Sequence, residues 1–263
     1  MDPLDVNRAH WDALAAVHGQ DAYYDKDALV SGRDSLNEFE SAAVGDVTEL
    51  DVMHLQCHIG FDSISLARRG AHVTGVDFSP GSLAAAAELA ERAGVEIEWV
   101  QADATALPET LHGRFDLVYS TIGVLGWIAD IDAWMRSVFA ALRPGGRLVL
   151  VEHHPVFLMV ASTDPLILDF PYAFDGPRAF DEAGSYADPN ALVASTESVE
   201  YAHSIGEVVT AALGAGLRLD TLKEHLDAAR DGRGLLTPDA DGRCRLRIGA
   251  EVLPLYYTVI ASR

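Results

Sequence analysis

The chain has 263 residues, 49% of them hydrophobic and 22% charged. That is a globular composition, long enough to bury a core without disulfide or metal staples, and it argues against disorder. Its 19 basic and 40 acidic residues leave a formal net charge of −21, which repels phosphate backbones and anionic lipid heads and so argues against nucleic acid or a membrane surface as partner. A neutral or cationic small molecule is the partner this charge favours. No apolar run reaches the ~20 residues that span a bilayer. The stretch Met1 to His10 carries Asp2 and Asp5 and does not read as a signal peptide. Two cysteines, Cys57 and Cys244, make no disulfide framework. A cytoplasmic protein is expected; composition leaves the oligomeric state open.

In chain order, residues 5–17 read as a helix. Residues 18–34 read as a polar loop or lid bearing Tyr23 and Tyr24, and 35–44 as a short helix stopped at Gly45. From residue 51 short apolar runs alternate with helical segments. Strands are expected at 51–55, 71–76, 95–100, 115–120 and 147–151, the last after the turn Pro144-Gly145-Gly146. Helices are expected at 63–69, 80–93 and 131–142. Pro80 and Gly94 bracket the second of these in the usual proline-first, glycine-last order. This β-α-β alternation predicts a parallel sheet covered by helices on both faces, joined by right-handed crossovers. Residues 153–203 break the rhythm with five prolines and many aromatics, too apolar for a linker and suited to a binding insertion. A helix at 204–215, a strand at 217–225, a Gly-rich excursion at 227–249 and a strand at 253–261 follow. The expected organisation is one domain: a helical cap (1–45), a core (46–152), the insertion (153–203) and a segment completing the sheet (204–263).

In an open α/β sheet the ligand sits beyond the carboxyl ends of the strands. The first strand feeds the loop Gln56-Cys57-His58-Ile59-Gly60-Phe61-Asp62. Asp77 closes the second strand, 21 positions after Gln56, the spacing of an acid that accepts from ribose hydroxyls, and Phe78 follows it. After the third strand, Ala102-Asp103-Ala104 places another carboxylate, an acceptor suited to an adenine amino group. Blander readings exist: Asp77 as a helix cap and Asp103 as a turn acid. His54, Cys57 and His58, with Glu152, His153 and His154, also resemble a zinc set on paper. His54 lies within a strand and His58 in a loop, so their side chains need not converge, and no metal is expected.

From about residue 50 to 151 this arrangement resembles the class I S-adenosylmethionine-dependent methyltransferases. The strand Phe115-Asp116-Leu117-Val118-Tyr119-Ser120 and the turn Leu142-Arg143-Pro144-Gly145-Gly146-Arg147-Leu148 add to the match. The loop departs from the family's glycine-rich form. Only Gly60 keeps that character, and Gln56 and His58 stand where glycines are common, as in a Leu-Gln-Cys-His-Ile-Gly variant among bacterial small-molecule methyltransferases. A hydride-transfer enzyme fits less well, because a pyrophosphate needs glycines at close approach. The resemblance implies an α/β, Rossmann-like, doubly wound and mostly parallel seven-stranded sheet. It also implies S-adenosylmethionine as cofactor, held by Gln56, Cys57, His58, Gly60, Asp77, Phe78, Ala102, Asp103, Ala104 and Ser120. The implied acceptor is a small, partly aromatic specialised metabolite, with C-methylation of an indole-type ring among the options beside O- or N-methylation. A non-catalytic cofactor-binding module is the alternative of another class. Tyr23, Trp127, Glu152, Tyr172 and Tyr186 are expected around the acceptor. Tyr24 and His154 are expected to handle its proton, although His154 also reads as a structural histidine.

Overall fold

Val52, Met53, His54 and Leu55 are all buried, so the first strand, β1 (Asp51–Leu55), is covered on both faces, as a central parallel strand must be. The structure, a computed structural model, describes residues 2–18 and 23–263. β1 pairs in parallel with β2 (His72–Asp77) on one side and β4 (Phe115–Thr121) on the other. β3 (Glu98–Gln101) extends β2, and β5 (Leu142–His153) extends β4, both in parallel. Of the last two strands, β6 (Arg218–His225) and β7 (Tyr256–Ser262), the second inserts antiparallel between β5 and the first. The sheet order is therefore 3-2-1-4-5-7-6. The order reverses between β1 and β4, which is where a ligand crevice forms.

Eight α-helices accompany the sheet among the described residues: α1 (Pro3–His18), α2 (Lys26–Val30), α3 (Glu38–Val44), α4 (Phe61–Arg68), α5 (Pro80–Ala93), α6 (Ile131–Ala141), α7 (Pro155–Leu158) and α8 (Ile205–Gly214). On one face Met53, Leu55, Val118, Leu148 and Leu150 meet Trp134, Met135 and Val138 of α6 and Val208 of α8. On the other, Val52, Leu117, Tyr119, Val149 and Val151 meet Val44 of α3 and Leu66 of α4. Leu117/Val118 and Leu148/Val149 send successive side chains to opposite faces, as the pleat requires. Each such fully buried aliphatic contributes about 1.5–3 kcal/mol of transfer free energy. The helix starts follow their caps. Ser79 Oγ accepts from Ser82 N (2.9 Å) ahead of Pro80, and Ser204 and Glu207 form a capping box on α8.

The departures from the expected elements are local. The expected turn at 144–146 lies inside β5, because Leu142 already pairs with Phe115 and pairing resumes at Leu117–Arg147. The residues between bulge out, with Gly145 at φ +85°, and a Cβ on Gly146 would stand 2.8 Å from the Phe115 carbonyl. The strand expected at 95–100 pairs over only 98–101, at the sheet edge. The loop expected at 18–34 contains α2; its residues 19–22 lie outside the described residues. The insertion carries α7, a hairpin of Val160–Thr163 with Leu166–Leu168, and a pair of Arg178–Asp181 with Glu197–Glu200. The excursion at 227–249 leads into a further hairpin, Leu246–Ile248 with Glu251–Leu253. Among the described residues no helix is long and apolar enough to cross a membrane.

Candidate active site

The tight turn after β1 sets the site. Gln56 and His58 both take positive φ (60° and 50°), a conformation usually left to glycine. Each is held there. The Gln56 amide donates to the Val124 carbonyl (3.0 Å) and accepts from the Trp134 indole (2.9 Å), bridging β1, α6 and the loop after β4. His58 N donates to Asp77 (2.8 Å) and Cys57 N to the Val76 carbonyl (3.0 Å). Gly60 is required for space as well as for its φ of +76°: a Cβ there would sit 2.7 Å from the Trp99 ring and 2.9 Å from Ala86.

Two adjoining cavities open at the carboxyl ends of β1, β2 and β4. The larger, about 310 Å³, is lined by Val76, Asp77, Phe78, Ala102, Asp103 and Ala104, and closed by Leu4 and Asn7 of α1. The smaller, about 190 Å³, is lined by the loop from Gln56 to Asp62, by Thr121–Val124, and by Trp11, Tyr24 and Tyr186. Gln56, Asp77, Phe78 and Trp127 border both. Together they fall in the range of roughly 300–1,000 Å³ usual for small-molecule sites. Among the described residues neither cavity is lined by a lysine or arginine, whereas Asp62, Asp77 and Asp103 all reach them. A third cavity, lined by Asp51, Glu96, Glu98 and Arg114, lies at the opposite, amino ends of the strands.

Asp77 is almost fully buried and accepts from His58 N and Ser79 N (2.9 Å), yet burial outweighs these donors and pushes its carboxyl up to about 6. Each of its oxygens keeps a second lone pair for a ligand hydroxyl. Asp103 accepts from the amide and hydroxyl of Thr105 through one oxygen (both 2.8 Å), combining the turn-acid role with a place on the cavity wall. Cys57 is buried, and burial pushes its thiol up, so it packs rather than reacts.

Several expected site residues have other work. Ser120 does not reach either cavity: its buried hydroxyl donates to the Leu55 carbonyl (3.0 Å) inside the sheet. Glu152 is no acceptor contact. Its buried carboxylate accepts from Gly123 N (2.6 Å), Val124 N (2.8 Å), Leu125 N (3.1 Å) and His153 N (2.6 Å), and so shapes the loop that walls the smaller cavity. His154 caps α7, accepting from Val156 N at Nδ1 (3.1 Å) and donating from Nε2 to Glu224 (2.8 Å). With both ring nitrogens engaged and burial holding its pKa below the usual value, it offers no lone pair to a substrate proton. Tyr172 is exposed and borders neither cavity. Tyr23 is half exposed, edge-on to Tyr24 and Tyr186, outside the lining. Tyr24 and Tyr186 do meet at the rim of the smaller cavity, hydroxyl to hydroxyl.

The first helix supplies residues that sequence reasoning missed. Asp12 accepts from Ser79 Oγ (2.6 Å) and Gly81 N (2.9 Å), pinning α1 across the start of α5. Asn7 exchanges two bonds of 2.8 Å with the Val199 backbone, tying α1 to the insertion. Trp11 stands edge-on to His58 (5.0 Å) and Trp127 (5.1 Å), and His18 meets His58 at 3.2 Å. Only the amphipathic pattern of residues 5–17 hinted at these contacts, and it does not name the partner.

Residues 52–146 match the family model of a methyltransferase domain. The demethylmenaquinone methyltransferase of Thermus thermophilus is 42% identical over 86 residues, which is 33% of this chain and 38% of that protein. The ubiquinone biosynthesis O-methyltransferase of Pseudomonas fluorescens is 34% identical over 97 residues, 37% of this chain and 41% of that protein. This chain thus spans about two fifths of the curated relatives it matches. In three dimensions it resembles an S-adenosylmethionine-dependent methyltransferase from Mesorhizobium loti with a TM-score of 0.59 at 22% identity, covering 89% of this chain and all of that one, a likeness of fold. Residues 52–146 of the chain are thus similar to a methyltransferase domain, and they lie within a sheet of order 3-2-1-4-5-7-6.

Proposed function

We propose that the chain transfers a methyl group from S-adenosylmethionine to a small molecule bearing a flat, electron-rich ring. One observation carries the cofactor assignment: a cavity at the strand carboxyl ends lined by carboxylates and, among the described residues, by no lysine or arginine. Such a lining suits a cationic sulfonium and opposes the pyrophosphate of a dinucleotide. The residues fit the cofactor by their chemistry. Phe78, Ala102 and Ala104 give an apolar slot for a purine, Asp103 an acceptor for its amino group, and Asp77 an acceptor for ribose hydroxyls. When bound, the cofactor supplies an electrophilic methyl group on sulfur.

The chain's own part is then alignment and exclusion of water. The insertion and α1 close over the crevice, with Trp11, Tyr24, Trp127 and Tyr186 as the aromatic faces that orient an acceptor ring. The quinone-pathway names of the matched relatives support a ring acceptor, and an indole-type ring methylated at carbon is one member of that class. Tyr24 takes the proton-handling place that His154 does not fill. Tyr24→Phe should lower kcat by about tenfold or more, with little change in cofactor affinity, if the acceptor must lose a proton in the slow step.

Mass spectrometry of a panel of phenols, hydroquinones, indoles and amines, incubated with methyl-labelled cofactor, tests the reading. Gain of one labelled methyl on a ring acceptor supports it. Cofactor binding with no labelled product across the panel would favour the non-catalytic module instead.

A further inference from the structure

In the excursion at 227–249, Arg243, Arg245 and Arg247 are each paired with aspartates. Arg233 is not. Its guanidinium lies over the Phe157 ring (5.1 Å), and Nη1 donates to the carbonyls of Phe157 (2.6 Å) and Val160 (2.9 Å). Among the described residues its other nitrogens have no hydrogen-bond partner, and it forms no ion pair. The acid nearest in the chain, Asp231, is taken up by the turn, where it accepts from Arg233 N (3.3 Å), Gly234 N (2.8 Å) and Leu236 N (2.6 Å). That turn is pressed against the end of the sheet: a Cβ on Gly232 would stand 2.8 Å from the His153 ring and from Tyr256 Oη. The other acid whose charge acts on Arg233 is Glu200. Among the described residues Glu200 accepts no hydrogen bond, and burial, with Glu182 nearby, pushes its carboxyl up to about 7. Arg233 also acts on His153, which is 8% exposed and whose buried Nδ1 has no partner among the described residues. A scaffold satisfies its buried polar groups. A cation, a carboxyl and a ring nitrogen left unmatched in one neighbourhood mark a binding surface instead.

We infer that Arg233 and Glu200 hold the two ends of a zwitterion, and that the acceptor is an aromatic α-amino acid, its carboxylate on Arg233 and its ammonium on Glu200. The inference rests on the ring-acceptor reading above and names the class of ring compound. Both residues flank the loop after β4 that walls the smaller cavity. Ile122 lines that cavity and packs against the cluster of Phe157, the ring beneath Arg233. Tyr201 N donates to the Gly126 carbonyl (2.8 Å), which sets Glu200 next to the turn that carries Trp127, an aromatic wall of both cavities. A ring held by Trp11 and Trp127 thus has its side chain directed past Ile122 toward the two charges. Arg233 and Glu200 are opposite in charge and within reach of each other's field, yet they do not close into an ion pair. Arg233 is anchored by two carbonyls, and Glu200 by its strand, where it pairs with Arg178 in the ladder. An α-amino acid carries its carboxylate and ammonium on one carbon, so it bridges the gap with charge-assisted hydrogen bonds at both ends. As a neutral whole it also enters a chain of net charge −21 without the repulsion a simple carboxylate meets. An ammonium at Glu200 favours the ionised carboxylate there. An amine alone leaves Arg233 unmatched, and a carboxylic acid alone leaves Glu200 unmatched.

The experiment is calorimetry on the whole chain saturated with S-adenosylhomocysteine. The probes are L-tryptophan, L-tyrosine and L-phenylalanine, each beside its decarboxylated amine and its deaminated acid. At least one amino acid should bind about tenfold or more tightly than both its amine and its acid, the effect of losing a hydrogen bond to a charged group. Glu200→Gln breaks no hydrogen bond seen in the fold. It should weaken that amino acid by about 10- to 100-fold while the deaminated acid and S-adenosylhomocysteine stay within about twofold. Arg233→Lys keeps the charge and loses the fork, so it should weaken the amino acid and the deaminated acid alike and spare the amine. An amino acid that binds the wild type no better than its amine and its acid overturns the inference, and needs no variant to fold. Unchanged amino-acid affinity in Glu200→Gln also overturns it. Labelled methyl on phenols, hydroquinones or indoles, with none of the three amino acids bound, would overturn it and leave the ring-acceptor reading standing. Labelled methyl on no ring compound at all would strike that reading, and the inference with it.

Discussion

The carboxyl ends of β2 and β5, two parallel strands of one sheet, each carry a buried acid, Asp77 and Glu152, and the two acids do opposite things. At β2, Asp77 accepts two backbone amides and still borders both cavities. At β5, Glu152 accepts four backbone amides and His154 is bonded through both ring nitrogens, and neither borders a cavity. Side-chain chemistry at a strand end therefore does not decide function. What decides it is whether the neighbouring backbone has already used the lone pairs. β5 is flanked by the antiparallel β7 and by the loop after β4, which turns its amides inward, so its polar end becomes scaffold.

The largest effect should come from Glu152→Ala. It strips acceptors from four amides at once, and each buried unsatisfied group costs about 1–3 kcal/mol. Chemical denaturation should show a loss of about 3 kcal/mol or more; a loss under about 1 kcal/mol would return Glu152 to the ligand side of the comparison. Asp77→Ala should weaken S-adenosylhomocysteine binding by about 1.5–3 kcal/mol, the range for hydrogen bonds to a charged group, and unchanged affinity would remove Asp77 from the ribose role.

A third effect depends on pH. The Glu40 carboxyl is raised from 4.5 to about 8 by burial and by the Asp62 charge beside it. A carboxyl raised on folding gives stability that is complete at low pH and is lost as pH climbs to its folded value. Glu40→Gln should therefore gain stability over wild type between pH 5 and 8, by more than about 1 kcal/mol at the upper end. A difference that stays flat across that window would mean that Glu40 is ionised in the folded chain. The smallest effect is that of His154→Ala, which loses a helix cap and costs about 1 kcal/mol while leaving kcat within about twofold. A tenfold fall in kcat at unchanged stability would put His154 back in the chemistry.

The sheet was legible because its signals are local and repeated. Strands such as 51–55 and helices such as 80–93 announce themselves by apolar runs and by Pro and Gly punctuation, and both lie where expected. The crevice at the strand ends was legible for the same reason, since Asp77 closes β2 and Asp103 follows β3. The assignments of Ser120, Glu152 and His154 failed because a sequence shows which polar groups exist but not which backbone amides or carbonyls already hold them. Glu152 is matched by amides 27 to 29 positions away, and Asn7 by a backbone 192 positions away. Asp62 stands within the loop after β1, but its partners Ser35 and Tyr119 come beside it only through the fold.

The central claim is that the carboxylate-lined crevice beyond β1 and β2 holds an adenosyl sulfonium cofactor. Calorimetric titration of the unmodified chain with S-adenosylmethionine, S-adenosylhomocysteine and NAD, each under the same conditions, addresses it most directly. Saturable one-to-one binding of both adenosyl ligands with no heat from NAD is the predicted result; binding of NAD with neither adenosyl ligand bound would contradict it.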